Sequence, residues 1–373
     1  MKVFPPLLQI ELNFTDCRFA LLSFITAFAV SMVCIPPLIM LVNKYRLHDK
    51  PDLRKEHSIP TPTLGGIAII LGMIISLVLW FPVSLPKEIM ISFFCIAIIF
   101  GMGITDDVKD LPAKYKFIVE AALASLIALS GIRITTFGGL FGVNELPLSA
   151  QYTFTIFAIV GTTNAFNLID GIDGLAGGLS FMSLVILGIF LTIGGDKNFA
   201  LIAFALAGGV LAFLYFNMNP AKIFMGDTGS LVLGFIIAIL CTRLIQINGK
   251  EAQPLLKNTP LFAFGVVLIP VYDAMRVFIL RIWNGQSPFN ADKTHVHHLM
   301  THAGLSHNYS SKIIYAIHAV ILVEVYWLDE LRPGLIFSVL LATMMLLTIL
   351  FRNFLRIKKQ KSTDTEQATY GLR

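Results

Sequence analysis

Five aspartates, Asp106, Asp107, Asp170, Asp173 and Asp227, stand beside long apolar runs, and the residues around them are spaced as chemistry would require. In NAFNLIDGIDGLAGG, Asn164, Asn167, Asp170 and Asp173 recur every third residue, so a helical or 3₁₀ turn would line them along one narrow face. Two Asp-Gly turns are the plainer reading, but four amide and carboxylate groups in register suit a ligand better. FMGDTGS sets Asp227 just before another apolar run, with Thr228 and Ser230 available as N-caps. A helix N-terminus favours negative charge, phosphate included. Asp106 and Asp107 instead end an apolar run, where the helix dipole disfavours anions. Lys109, Lys114, Lys116 or a bound metal would offset them, unless they are a solvated pair.

Two further clusters carry donors and cations. His295, His297 and His298 form HVHH, where on a helix His295 and His298 share a face and His297 does not. With no cysteine nearby, contact with a phosphate or sugar suits this tract better than zinc, and a merely polar loop is the alternative. Arg54, Lys55 and His57 precede a Pro- and Gly-broken segment, SIPTPTLGG. Such a basic patch suits an anionic lipid head group, or simply records topology.

The elements that must position these residues are set by composition. Of the 373 residues 56% are hydrophobic and 14% charged, and the mean hydropathy is +0.77, too apolar for a soluble protein of this length. Apolar stretches long enough to cross a bilayer recur about eleven times between residues 20 and 351. The alternating strands of a membrane barrel are absent, so the expected fold is an all-α polytopic membrane protein. Lys44, Arg46 and Lys50 follow the first span, and Arg352, Arg356, Lys358, Lys359 and Lys361 follow the last. Basic segments stay in the cytoplasm, which places the N-terminus outside, the C-terminus in the cytoplasm, and all five aspartates at the cytoplasmic face. Residues 1–356 read as one integral membrane domain and 357–373 as a disordered cytoplasmic tail. The first span reads as retained rather than as a cleaved signal. Cys17, Cys34, Cys95 and Cys241 have no ligand spacing, so neither a disulfide framework nor a cysteine zinc site is expected.

Together DDVKDLPAKYKF, NAFNLIDGIDGLAGG, FNMNPAKIFMGDTGS and HVHH resemble, in order and spacing, the polyprenyl-phosphate N-acetylhexosamine-1-phosphate transferases of glycosyltransferase family 4. The likeness is to the undecaprenyl-phosphate GlcNAc-1-phosphate transferase branch; the related phospho-MurNAc-pentapeptide translocases carry three consecutive histidines where THVHH stands here. The resemblance implies an enzyme of the bacterial cytoplasmic (inner) membrane that starts lipid-linked cell-surface polysaccharides such as O-antigen. It would transfer N-acetylhexosamine 1-phosphate from a UDP-sugar to undecaprenyl phosphate and release UMP, with Mg²⁺ as cofactor and Mn²⁺ as substitute. It also implies Asp227 and Asn167 as metal ligands, with Asp106, Asp107 and Asp170 beside Asp227 in catalysis. Asn164, Asp173, Asn217 and Phe224 would line the nucleotide pocket, Phe224 stacking on uracil. Lys114, Lys116, Arg54, Lys55, His57, His295, His297 and His298 would meet phosphates or sugar. No nucleic acid is expected as a partner, membrane lipid is, and a homodimer is left open.

Phospho-MurNAc-pentapeptide transfer is the nearest alternative reaction. From another class, an ion-coupled transporter would need polar groups at mid-membrane, where Arg243 and Glu324 are the charged residues expected deepest. A scaffold would not need the Asn164 to Asp173 stripe.

Overall fold

A computed structural model describes residues 14–45, 48–49, 61–82, 85–249, 254–285 and 295–370. The apolar runs form helices, because only intrahelical hydrogen bonds satisfy every backbone group of a single segment in hydrocarbon. They are α1 (Phe14–Tyr45), α2 (Gly65–Trp80), α3 (Lys87–Lys109), α4 (Ala113–Ser130), α5 (Leu148–Ile169), α6 (Leu175–Ile193), α7 (Lys197–Asn217), α8 (Asp227–Asn248), α9 (Thr259–Trp283), α10 (Val296–His302), α11 (His307–Trp327) and α12 (Pro333–Tyr370). The all-α polytopic class expected from composition is the class observed. Two strands of two residues each, His48–Asp49 and Thr61–Pro62, pair antiparallel beside it.

Among the described residues, nine helices are long and apolar enough to cross a membrane. The other two expected spans differ for visible reasons. The helix α2 has only 16 residues, and α4 carries Lys114, Lys116 and Glu120 within its length. The chain is a multi-pass membrane protein. Residues 357–370 continue α12, with no Gly or Pro among them.

The core sits around α8. Every residue from Thr228 to Thr242 is buried, so α8 is enclosed on all sides, as befits a helix apolar all round. It is packed by α5, α3, α6, α2 and α9. The helices α1 and α12 lie at the periphery and expose large apolar side chains such as Val33, Met40, Leu346 and Ile349.

Polar ties gather at the two ends of this bundle. At one end Arg243 Nε donates to Asp196 Oδ2 at 2.5 Å, Gln246 Nε2 to Gly131 O at 2.6 Å, and Asn258 N to Asp329 Oδ1 at 2.8 Å. Arg243 thus closes a helix junction, and Glu324 accepts from Thr343 Oγ1 at 3.1 Å. The deepest acids are others, Glu120 and Asp273, which are 1% and 3% exposed. At the opposite end meet the C-termini of α3 and α5 and the N-termini of α4 and α8.

Candidate active site

The turn before α8 is held on three sides. Phe224 N donates to Pro62 O at 2.7 Å, Gly65 N to Phe224 O at 2.9 Å, and Gly66 N to Met225 O at 3.0 Å, which fastens the start of α2 to this turn. Gly226 has φ 70, and a Cβ there would lie 2.4 Å from Asp107 Oδ2. Both facts call for glycine. Asp107 Oδ1 accepts from Asp227 N at 2.8 Å, and its Oδ2 accepts from Thr228 N at 3.0 Å and from Thr228 Oγ1. The carboxylate that ends α3 therefore caps α8. This corrects the expected capping by Thr228 and Ser230: the cap comes from another helix, and Ser230 Oγ donates to Gly226 O at 3.1 Å. It also answers the dipole objection, because Asp107 lies at the N-terminus of α8 as well as the C-terminus of α3.

Its neighbour Asp106 has different partners. Asp106 Oδ1 accepts from Leu111 N at 2.7 Å and its Oδ2 from Lys116 Nζ at 2.6 Å. Lys116 Nζ also lies 3.1 Å from Asp227 Oδ2, so one ammonium bridges α3, α4 and α8. Of the three candidate lysines, Lys116 takes this place; Lys109 and Lys114 are exposed. Asp227 Oδ1 accepts from Asn167 Nδ2 at 2.9 Å, and the same amide donates to Ser230 Oγ at 3.0 Å. The Asp227 side chain is 28% exposed and that of Asp106 only 4%. Both carboxylates have partners for each oxygen, but only Asp227 is open to a ligand.

The stripe of every third residue is continuous only in part. Asn164 and Asn167 occupy the last turns of α5, which ends at Ile169, and Asp170 follows as the C-cap. No described residue donates to the Asp170 carboxylate. Burial pushes it up to about 7, helped by the charges of Asp227, Asp107 and Asp173. Asp173 turns away: its Oδ2 accepts from Asn219 Nδ2 at 2.9 Å and Ala221 N at 3.2 Å, and its Oδ1 lies 3.4 Å from His307 Nδ1. Asn217 is likewise engaged, accepting from Gly174 N at 2.9 Å and donating to Ile223 O at 2.8 Å. The structure thus gives Asp173 and Asn217 the work of joining the 170s loop to the 217–223 segment. Ser311 and Tyr315 of α11 brace the same loop by donating to Asp173 O at 2.9 Å and Gly174 O at 2.5 Å. Phe224 remains partly exposed beside Asp227 in sequence.

The histidine tract closes this end from α10. His295 Nδ1 lies 2.8 Å from Asp273 Oδ2, and Asp273 Oδ1 accepts from Val296 N at 3.1 Å and Arg276 Nη2 at 2.9 Å. His297 is 1% exposed and packs on Gly171, where a Cβ would meet Nε2 at 2.1 Å. Burial, with the charge of His298 next, holds the His297 imidazole down at about 3, so it is neutral at physiological pH. The ring of His298 is tilted against it with centroids 4.3 Å apart. Arg54, Lys55 and His57 lie outside the described residues.

Sequence reasoning missed Asp273 and Glu120. A signal existed for both: a lone acid within an apolar helix is costly unless something uses it. Glu120 Oε2 accepts from Asn164 Nδ2, one turn along α4 from Lys116.

Oxygen donors such as Asp227 and Asn167 are of the kind a magnesium ion would take. Asp106 and Asp227 share the ammonium of Lys116, and Asp107 and Asp170 add two further carboxyl groups at this end. No three His, Cys, Asp or Glu side chains of the described residues converge as metal ligands. Zinc would want such a set, whereas Mg²⁺ takes one or two carboxylates and fills its other positions with water and phosphate.

The profile of glycosyl transferase family 4 matches residues 89–245, which include Asp106, Lys116, Asn167 and Asp227. The chain is 33% identical over 308 residues to a probable undecaprenyl-phosphate N-acetylglucosaminyl 1-phosphate transferase of Bacillus subtilis strain 168, covering 80% of this chain and 82% of the relative. It is 32% identical to the undecaprenyl-phosphate alpha-N-acetylglucosaminyl 1-phosphate transferase of Yersinia pestis (70% of this chain, 72% of the relative). The enzyme of that name from Escherichia coli K12 is 30% identical, over 71% of this chain and 72% of the relative.

Proposed function

The chain belongs to glycosyl transferase family 4, and from that premise we propose that it transfers N-acetylglucosamine 1-phosphate from UDP-N-acetylglucosamine to undecaprenyl phosphate, releasing UMP. The observation that carries this reading is the meeting of Asp227, Lys116 and Asn167 at one end of a membrane bundle, inside the region that matches the family. A water-borne nucleotide sugar and a membrane-borne phosphate can meet only at such an end. The face is the cytoplasmic one and the membrane the bacterial inner membrane in this reading, since the basic residues that follow the first and last apolar runs belong there.

In the reaction, an oxygen of the lipid phosphate forms a bond to the sugar-linked phosphorus, and the anhydride bond to UMP breaks. The lipid phosphate is already mostly dianionic at pH 7, so no side chain has to remove a proton. What the chain must do is bring anions together and align them. Lys116 supplies a fixed positive charge, set by Asp106 at 2.6 Å. Asp227, the open carboxylate, with Asn167 beside it, would hold Mg²⁺, which when bound supplies neutralisation of the diphosphate. Asp107 sets the start of α8 and hence the position of Asp227. The half-buried Phe224 offers a ring for uracil, and His298 and Lys114 would meet phosphate or sugar. In this reading Asp106, Asp107, Asp173 and Asn217 act as positioning residues.

Purified protein given undecaprenyl phosphate, Mg²⁺ or Mn²⁺ and a panel of UDP-sugars, with mass spectrometry of the lipid, tests the proposal. A lipid gaining N-acetylglucosamine phosphate and a diphosphate bridge is expected. A product made only from the UDP-MurNAc-pentapeptide donor would favour the related branch.

A further inference from the structure

Glu120 lies among apolar neighbours on α4 and is 1% exposed. Burying a carboxylate is expensive, and one oxygen, Oε1, has no hydrogen-bond partner among the described residues. Its other oxygen accepts from Asn164 Nδ2, and the same nitrogen donates to Val160 O at 2.9 Å. A backbone carbonyl only accepts, so the amide nitrogen of Asn164 must face Val160 and Glu120. The carboxamide is thereby fixed in one of its two orientations. No described residue donates to Asn164 Oδ1, and Asn164 is partly exposed, one turn before Asn167 and one helix away from Lys116.

We infer that Glu120 is a positioning residue that locks the Asn164 carboxamide so that it presents only an acceptor, Oδ1, to a hydrogen-bond donor of the substrate. The inference rests on the transferase reading above. A phosphate oxygen has no proton to give at that point, so the group met by Asn164 is a hydroxyl or N–H of the sugar nucleotide. Lys116 meets the phosphates, and the Glu120–Asn164 pair reads the uncharged part of the same donor.

The test exchanges the two groups. Asn164→Asp alone sets two carboxylates against each other and should lower kcat/KM for the UDP-sugar by about 100-fold. The double variant E120Q/N164D restores an amide facing a carboxylate, with an acceptor still presented at 164, and gives up only the donation to Val160 O. It should recover turnover to within about tenfold of wild type, mainly through KM for the UDP-sugar, with KM for undecaprenyl phosphate unchanged. The apolar pair E120L/N164L, which packs without polar groups, should keep its melting temperature and stay inactive. A double variant that melts like wild type but turns over no better than N164D would overturn the inference, as would full activity in E120L/N164L. Absence of UMP release from wild-type protein would instead remove the transferase reading itself.

Discussion

At the scale of residues, two adjacent aspartates have unlike tasks. Asp106 joins α3 to Lys116, and Asp107 caps α8. Asp106→Asn should weaken apparent Mg²⁺ affinity and lower kcat by about 10- to 100-fold while the pH profile keeps its shape. Loss of the acidic limb of that profile would mark Asp106 as a base instead. Asp107→Ala should cost about 1–2 kcal/mol of stability, the usual value of a helix cap, seen as a lower melting temperature in detergent. Spacing alone could not separate these roles, since neighbours in sequence share an element but point to different helices. His297 supplies a pH dependence. The unfolded chain takes up a proton on this ring near 6.5, about the ordinary histidine value, and the folded chain only at about 3. Its stabilisation is thus present above about pH 6.5 and is lost as pH falls toward 3. His297→Gln should therefore flatten the fall in melting temperature between about pH 7 and pH 4.5, and an unchanged slope would remove His297 as the cause.

At the scale of elements, the site depends on helix ends rather than helix interiors. Asn164 and Asn167 could be read from their spacing because α5 really is helical there. The rule of threes fails at Asp170, where the helix ends, so Asp173 lands in a separate network with Asn219, Ala221 and His307. Period reports a face only while the element lasts. The cap of α8 was hidden for a related reason: it is supplied by a residue 120 positions away in sequence. That arrangement makes Gly226 critical. Gly226→Ala would strain a residue at φ 70 and drive a methyl into Asp107, so a loss of about 1–3 kcal/mol and a displaced Asp227 are expected. Thermal melting and turnover should fall together in this variant; wild-type values for both would show that the turn adapts.

At the scale of the molecule, the apolar runs announced the fold class, and charge placement announced that the chemistry would gather at one end. Both followed from composition, since long greasy helices have few alternatives. Less legible were Glu120 and Asp273, whose partners Asn164 and His295 come from other helices and only packing reveals them. The two ends of the bundle differ in kind. One is closed by ties such as Asp196 with Arg243, and the other holds an excess of carboxylates around Lys116 with Asp227 partly open. The central claim is that this open end brings a UDP-sugar and a lipid phosphate together. Release of UMP from UDP-N-acetylglucosamine by purified protein and by Asp227→Asn, each with undecaprenyl phosphate and Mg²⁺, tests it most directly. Lipid-dependent UMP release by the wild type, reduced about 100-fold or more in the variant at an unchanged melting temperature, is the predicted result. Wild-type protein that releases no UMP from any UDP-sugar, or a variant as active as wild type, would contradict it.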